Sequence, residues 1–153
     1  MPLNPSDRGV EEGTHGRTVA SRRHTTVSAR LLALLLFVGG TGHFMATDAY
    51  ALIVPRLLPA PRAWVQTTGI AEITCALLLA VPRVRRVGAW CTAGLLVAVW
   101  PANIQMALDG GLPDRGWPLG SPVAAWLRVP LQLPLIWWAY TLARRRVDVH
   151  DPA

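Results

Sequence analysis

Four long apolar runs, bounded by arginine or proline, restrict what this chain can fold into. A hydrocarbon core of roughly 30 Å is crossed by a helix of about 20 apolar residues, and each run has about that length. Lipid offers no water to backbone N–H and C=O groups, so a spanning segment must satisfy them itself, as a helix does. The first run starts near Ser28, passes through the leucine-rich segment 31–38 and ends at about Thr47. The second covers Ala63 to Val81, the third Val87 to about Leu108, and the fourth Pro122 to Ala143. Between the first two, Asp48 to Pro61 carries Pro55, Pro59 and Pro61 and is not a regular helix throughout. The expected fold is all-α: a transmembrane four-helix bundle over residues 28–143. A disordered cytoplasmic tail, residues 1–27, precedes it, because that stretch is polar and has no apolar period. A basic cytoplasmic tail, residues 144–153, follows.

Charge patterning agrees with a membrane. The chain is 52% hydrophobic, with mean hydropathy +0.31, above the soluble norm. All 15 basic residues are arginine. This usage, with 13 prolines and abundant alanine, suggests a bacterial source with a GC-rich genome. A net charge of +6 invites a nucleic-acid reading, but the arginines flank apolar runs instead of forming one face, so no nucleic-acid partner is expected. Arg8, Arg17, Arg22, Arg23 and Arg30 precede the first run, Arg83, Arg85 and Arg86 separate the second and third, and Arg144, Arg145 and Arg146 follow the fourth. Opposite these eleven stand Arg56, Arg62 and Arg115, so the positive-inside rule puts both termini in the cytoplasm. The expected location is the bacterial inner membrane. Trp64, Trp117 and Trp126 near the outer ends, and Trp90, Trp137 and Trp138 near the inner ends, fit an interfacial belt; Trp100 is the exception. A cleaved signal over the first run is the competing reading, since Arg22-Arg23 precedes it and 48–51 loosely permits cleavage. It would leave three spans and discard His43.

The runs carry residues that lipid tolerates poorly: His43, Glu72, Asn103 with Gln105, and Arg128 with Gln132. Counting about 1.5 Å per residue from the run ends places all of them in the outer half of the bilayer. Glu72 is the deepest, about nine residues in, and nearly level with Gln132. A carboxylate at that depth must be protonated, paired or beside water. A structural pair with Arg128 is one reading and an open polar pocket the other. His43 and Arg128 can also snorkel outward, and the amides can simply bond between helices. Pro101, Pro130 and Pro134 interrupt the helices near Asn103 and Gln132, freeing backbone acceptors in the same zone. Small residues at 39–42, 67–69 and 92–94 allow close helix approach, which turns the polar residues inward. Cys75 and Cys91 form no CxxC and read as buried apolar thiols, and no Cys/His spacing fits a metal site.

Several motifs together resemble the DoxX family of small bacterial membrane proteins. They are Gly42-His43-Phe44, Pro55 through Leu58-Pro59, and Trp64-Val65-x-x-Thr68-Gly69-x-x-Glu72-Ile73. Val99-Trp100-Pro101-Ala102-Asn103-Ile104-x-Met106-Ala107, Arg128-x-Pro130-x-Gln132 and Ile136-Trp137-Trp138-Ala139 complete the pattern, in which Trp100 departs from the phenylalanine the family favours. The resemblance covers about residues 30–143. It implies a four-helix inner-membrane protein and a setting such as that of relatives that are subunits of thiosulfate:quinone oxidoreductases or belong to thiol and oxidative-stress complexes. The chain itself has no autonomous catalytic motif, and no cofactor is evident from its residues; quinone is the ligand the resemblance suggests. The expected function is a redox-associated subunit with an outer-half pocket. There Asn103, Gln132 and Arg128 would donate hydrogen bonds, and Glu72 or His43 would relay a proton. Partners would be the lipid bilayer and a second subunit or further copies of the chain. The alternatives are a small oligomeric transporter using Glu72 as carrier, and a non-catalytic assembly subunit.

Overall fold

The computed structural model describes residues 5–112, 116–117 and 120–145, with side chains from His24 onward. Five helices follow one another: α1 Pro5–Met45, α2 Thr47–Ala51, α3 Pro61–Ala80, α4 Arg85–Leu108 and α5 Pro122–Arg144. There is no strand among the described residues. Proline marks two helix starts, Pro61 and Pro122, where its missing N–H costs nothing. Ser121 caps α5, accepting from the Ala124 amide at 3.4 Å. Val81, extended before Pro82, ends α3.

Two boundaries differ from the sequence reading. The backbone of α1 is helical from Pro5, inside the stretch 1–27 read as a disordered tail. A helix already nucleated in the apolar run extends at little further cost. Residues 1–4 of that tail, and 146–153 of the C-terminal one, lie outside the described residues. The loop expected from Asp48 begins as the short helix α2, and irregular turns occupy only 52–60.

α1 over His24–Met45, α3 and α4 are long and apolar enough to cross a membrane, which marks this as a membrane protein. α5 has comparable length, but Arg128, Gln132, Pro130 and Pro134 interrupt its apolar character. Leu34 and Phe37 of α1, Leu77 of α3, Val97 of α4 and Leu131 and Trp137 of α5 are all exposed. So much outward apolar surface suits lipid and not water.

α1 packs mainly on α3, and α4 mainly on α5, with α3 and α4 joining the two pairs. The α1/α3 contact is a backbone approach. A Cβ on Gly40 would stand 2.8 Å from the Gly69 carbonyl oxygen, and one on Gly69 2.9 Å from His43 Cβ. At the arginine-rich end all four long helices meet in one core, where Leu32 and Leu36 face Leu79, Ala93 and Ala139. There Gly88 admits the backbone of Leu78, which a Cβ would meet at 2.8 Å. The opposite end has a smaller core of Ala49 and Ile53 against Met106, Leu112 and Ala125. Of the expected polar residues, His43, Glu72, Asn103 and Gln132 fall between these cores.

Candidate functional site: a cavity between two helix pairs

Between the two cores lies a cavity of about 580 Å³. α1 contributes Gly39 and His43 to its wall, α3 Glu72, α4 Asn103 and α5 Gln132. Most of the remaining lining is apolar, so a few polar groups act in a site with little water.

His43 occupies the last turn of α1, and α2 follows after the break at Ala46. Its Nε2 stands 3.6 Å from Glu72 Oε1, an ion-pair distance slightly beyond a hydrogen bond. The two side chains are only 19% and 12% exposed, so water screens them poorly. Tyr50 stacks on the imidazole with ring centroids 4.8 Å apart and an interplanar angle of 20°. Nδ1 of His43 is buried without a hydrogen-bond partner among the described residues. A buried polar atom in that state calls for an acceptor or donor from elsewhere. Gly39 makes room for the carboxylate: a Cβ there would lie 3.0 Å from Glu72 Oε2.

The facing wall is held by amides. Asn103 Nδ2 donates to Gln132 Oε1 at 3.2 Å, and Gln132 Nε2 donates to the Leu96 carbonyl at 2.7 Å. Trp100 Nε1 adds a 3.2 Å bond to the Val129 carbonyl. Pro101 and Pro130 remove the usual donors to Val97 and Trp126, yet the side chains reach Leu96 and Val129, each five residues before a proline. Gln132 is 5% exposed and bonded through both Oε1 and Nε2, so it fixes Asn103 from behind. Asn103, half-buried, keeps its Oδ1 and one Nδ2 hydrogen without protein partners among the described residues.

Of the six residues expected at the site, His43, Glu72, Asn103 and Gln132 line the cavity, whereas Gln105 and Arg128 do not. Gln105 bonds Asp109 on its own helix at 3.0 and 3.1 Å. Arg128 Nη1 reaches Met106 Sδ at 3.3 Å, and Glu72 has His43, not Arg128, as its charge partner. The cause is neighbour order: α5 packs on α4, which carries Arg128 to α4 instead of α3. Tyr50, Pro55, Leu58 and Trp64 also line the cavity. Tyr50 lies on α2, beyond the break that ends α1, and the turn between the two helices brings its ring onto His43, which the spacing alone does not signal. Pro55, Leu58 and Trp64 already stood out as motif residues, Trp64 also as part of the interfacial belt, but none was assigned to the pocket. Cys75 is buried and Cys91 exposed, both as free thiols. No group of three His, Cys, Asp or Glu lies together among the described residues.

A carboxylate beside an imidazole can exchange a proton with a hydroxyl group held in the cavity, and Asn103 can orient that hydroxyl or a carbonyl. No curated protein and no solved structure matches the chain. The family described as Domain of unknown function (DUF8561) matches residues 32–143, from the first apolar run to the end of the last, and the chain belongs to that family.

Proposed function

We propose that the chain spans the bacterial inner membrane four times, with both termini in the cytoplasm, and that its cavity holds a quinone-like or other small lipophilic ligand. In this reading the protein is a redox-associated subunit, and electrons come from or go to a second subunit. The observation that carries the reading is the convergence of the His43–Glu72 pair and the partly free Asn103 amide on one cavity of about 580 Å³. That volume lies within the usual range for small-ligand sites. The arginine asymmetry supports the orientation, and the DoxX resemblance supports the redox setting. A ligand carbonyl would accept from Asn103 Nδ2. As electrons from the second subunit reduce it to a hydroxyl, Glu72 with His43 would deliver the proton that the new hydroxyl takes up, the reverse holding for oxidation. Gln132 acts as the brace behind Asn103. Arg128 has no direct part, unlike the role its motif suggests.

Equilibrium binding of a short-chain quinone to protein purified in mild detergent tests this. Glu72→Gln and Asn103→Ala should each weaken binding about tenfold, equivalent to about 1.4 kcal/mol. Ala71→Phe, placed in the cavity wall, should block it, while Gln105→Ala should leave it unchanged. Unchanged binding in the first three variants overturns the assignment.

One observation favours a second reading, the assembly subunit. The Asn103–Gln132–Leu96 network is the kind of interhelical bonding that holds a bundle without any ligand. In that case Glu72→Gln lowers the unfolding temperature and no quinone binds the parent protein.

A further inference from the structure

Away from the cavity, the arginine-rich end contains an unmet demand for an anion. Hydrogen bonds bring three segments together there: the start of the first apolar run, the α3–α4 turn and the end of α5. Arg85 Nε caps α3 by donating to the Leu79 carbonyl at 3.0 Å, and its Nη1 reaches Thr26 Oγ1 at 3.4 Å. Arg145 Nη1 donates to the adjacent Thr25 at 2.9 Å, and Trp138 Nε1 to Ser28 Oγ at 2.7 Å. The remaining donor nitrogen of Arg85, Nη2, is buried and has no hydrogen-bond partner among the described residues. Burial and, after it, the like charge of Arg30 both disfavour the charge on Arg85.

A buried cationic donor beside other cations, with no acceptor, is costly, and an anion with several oxygens relieves both problems at once. The carboxylates with described side chains, Asp48, Glu72 and Asp109, all lie in other parts of the fold. Aromatic side chains mark the level of this corner. Trp90 and Trp137 pack on Tyr140, and Arg144 lies over the same ring while donating to its hydroxyl at 2.7 Å. Such a girdle belongs at the headgroup layer of a bilayer. At that level phosphate is the abundant anion, and basic pockets between helices on the cytoplasmic side suit anionic lipids.

We infer that the corner formed by Arg30, Arg85 and Arg145 binds the phosphate of an anionic phospholipid headgroup, with Arg85 Nη2 donating to a phosphate oxygen. The site depends on the membrane placement of the chain and not on what fills the cavity. It differs from a diffuse basic surface because one guanidinium is anchored by two protein bonds while its third nitrogen has no acceptor among the described residues. Arg85 thus couples the α3–α4 turn to the lipid.

The test uses the full chain reconstituted in phosphatidylcholine vesicles, with brominated phosphatidylglycerol titrated in to quench tryptophan fluorescence. Brominated phosphatidylcholine is the reference lipid. The parent protein should prefer phosphatidylglycerol, and Arg85→Gln and Arg30→Gln should each weaken that preference about fivefold. Arg62→Gln, at the opposite end, should not change it. Arg30→Gln keeps the test decisive if Arg85→Gln fails to fold, because Arg30 does not cap α3. Equal quenching by the two lipids, or equal loss in Arg62→Gln, overturns the site. Inorganic phosphate at matched ionic strength should not displace the lipid; full displacement overturns the headgroup assignment in favour of free phosphate.

Discussion

The two helix pairs that enclose the cavity are held together by different chemistry. α1 meets α3 through glycines, with Gly40 and Gly69 bringing backbone against backbone and the His43–Glu72 imidazole–carboxylate contact beside the crossing. α4 meets α5 through side-chain bonds at proline-interrupted turns, with Gln132 and Trp100 reaching carbonyls across the interface. In lipid neither pair gains from hydrophobic burial, so close packing and polar bonding are the two available adhesives. Close packing fails abruptly when a methyl group is added. Polar bonding fails by a graded loss of partners.

The largest expected effect therefore comes from Gly40. Gly40→Ala places a methyl 2.8 Å from the backbone oxygen of Gly69, which cannot rotate away, and should cost about 1–3 kcal/mol. Gly94→Ala, with nothing within 4 Å of the added Cβ, should instead be neutral or stabilise by up to about 1 kcal/mol. Unfolding in mild detergent compares the two; equal costs would break the contrast between the pairs.

On the other pair, Gln132→Leu strands the Asn103 amide and should cost about 1–2 kcal/mol in the same assay. Gln105→Leu, which loses only an exposed bond within α4, should stay within about 0.5 kcal/mol. Trp100→Phe removes the single bond to the Val129 carbonyl and keeps most of the ring. Its expected cost is about 0.6 kcal/mol, the mean for interhelical bonds in lipid. The smallest effect belongs to the Arg62–Asp48 ion pair between α3 and α2. Its members are 73% and 76% exposed, so Arg62→Ala should change stability by no more than about 0.5 kcal/mol.

The common level of Glu72 and Gln132 was legible because helical rise is constant. Counting from the run ends put Glu72 nearly level with Gln132, and both line one cavity. Depth says nothing about which helix is the neighbour. Arg128 had the right depth and Pro130 beside it, yet α5 lies on α4, and its guanidinium ends on Met106 instead of Glu72. Gln105 shows the same gap, since its i,i+4 partner Asp109 competes with any partner across the bundle. The orphaned nitrogen of Arg85 could not be read from the chain at all. It exists only because the α3 cap and Thr26 occupy the other two donors.

The sequence by itself determined the helical class, the places where helices stop, the level of Glu72 against Gln132 along the helices and the lopsided distribution of arginine. These follow from run length, proline positions and charge, all of which are properties along one dimension. Only the tertiary structure decided that α1 pairs with α3 and α4 with α5, that His43 and not Arg128 answers Glu72, and that Gln132 braces Asn103. Lateral choice depends on which surfaces approach most closely, and in this chain glycines far apart in sequence, such as Gly40 and Gly69, set that approach.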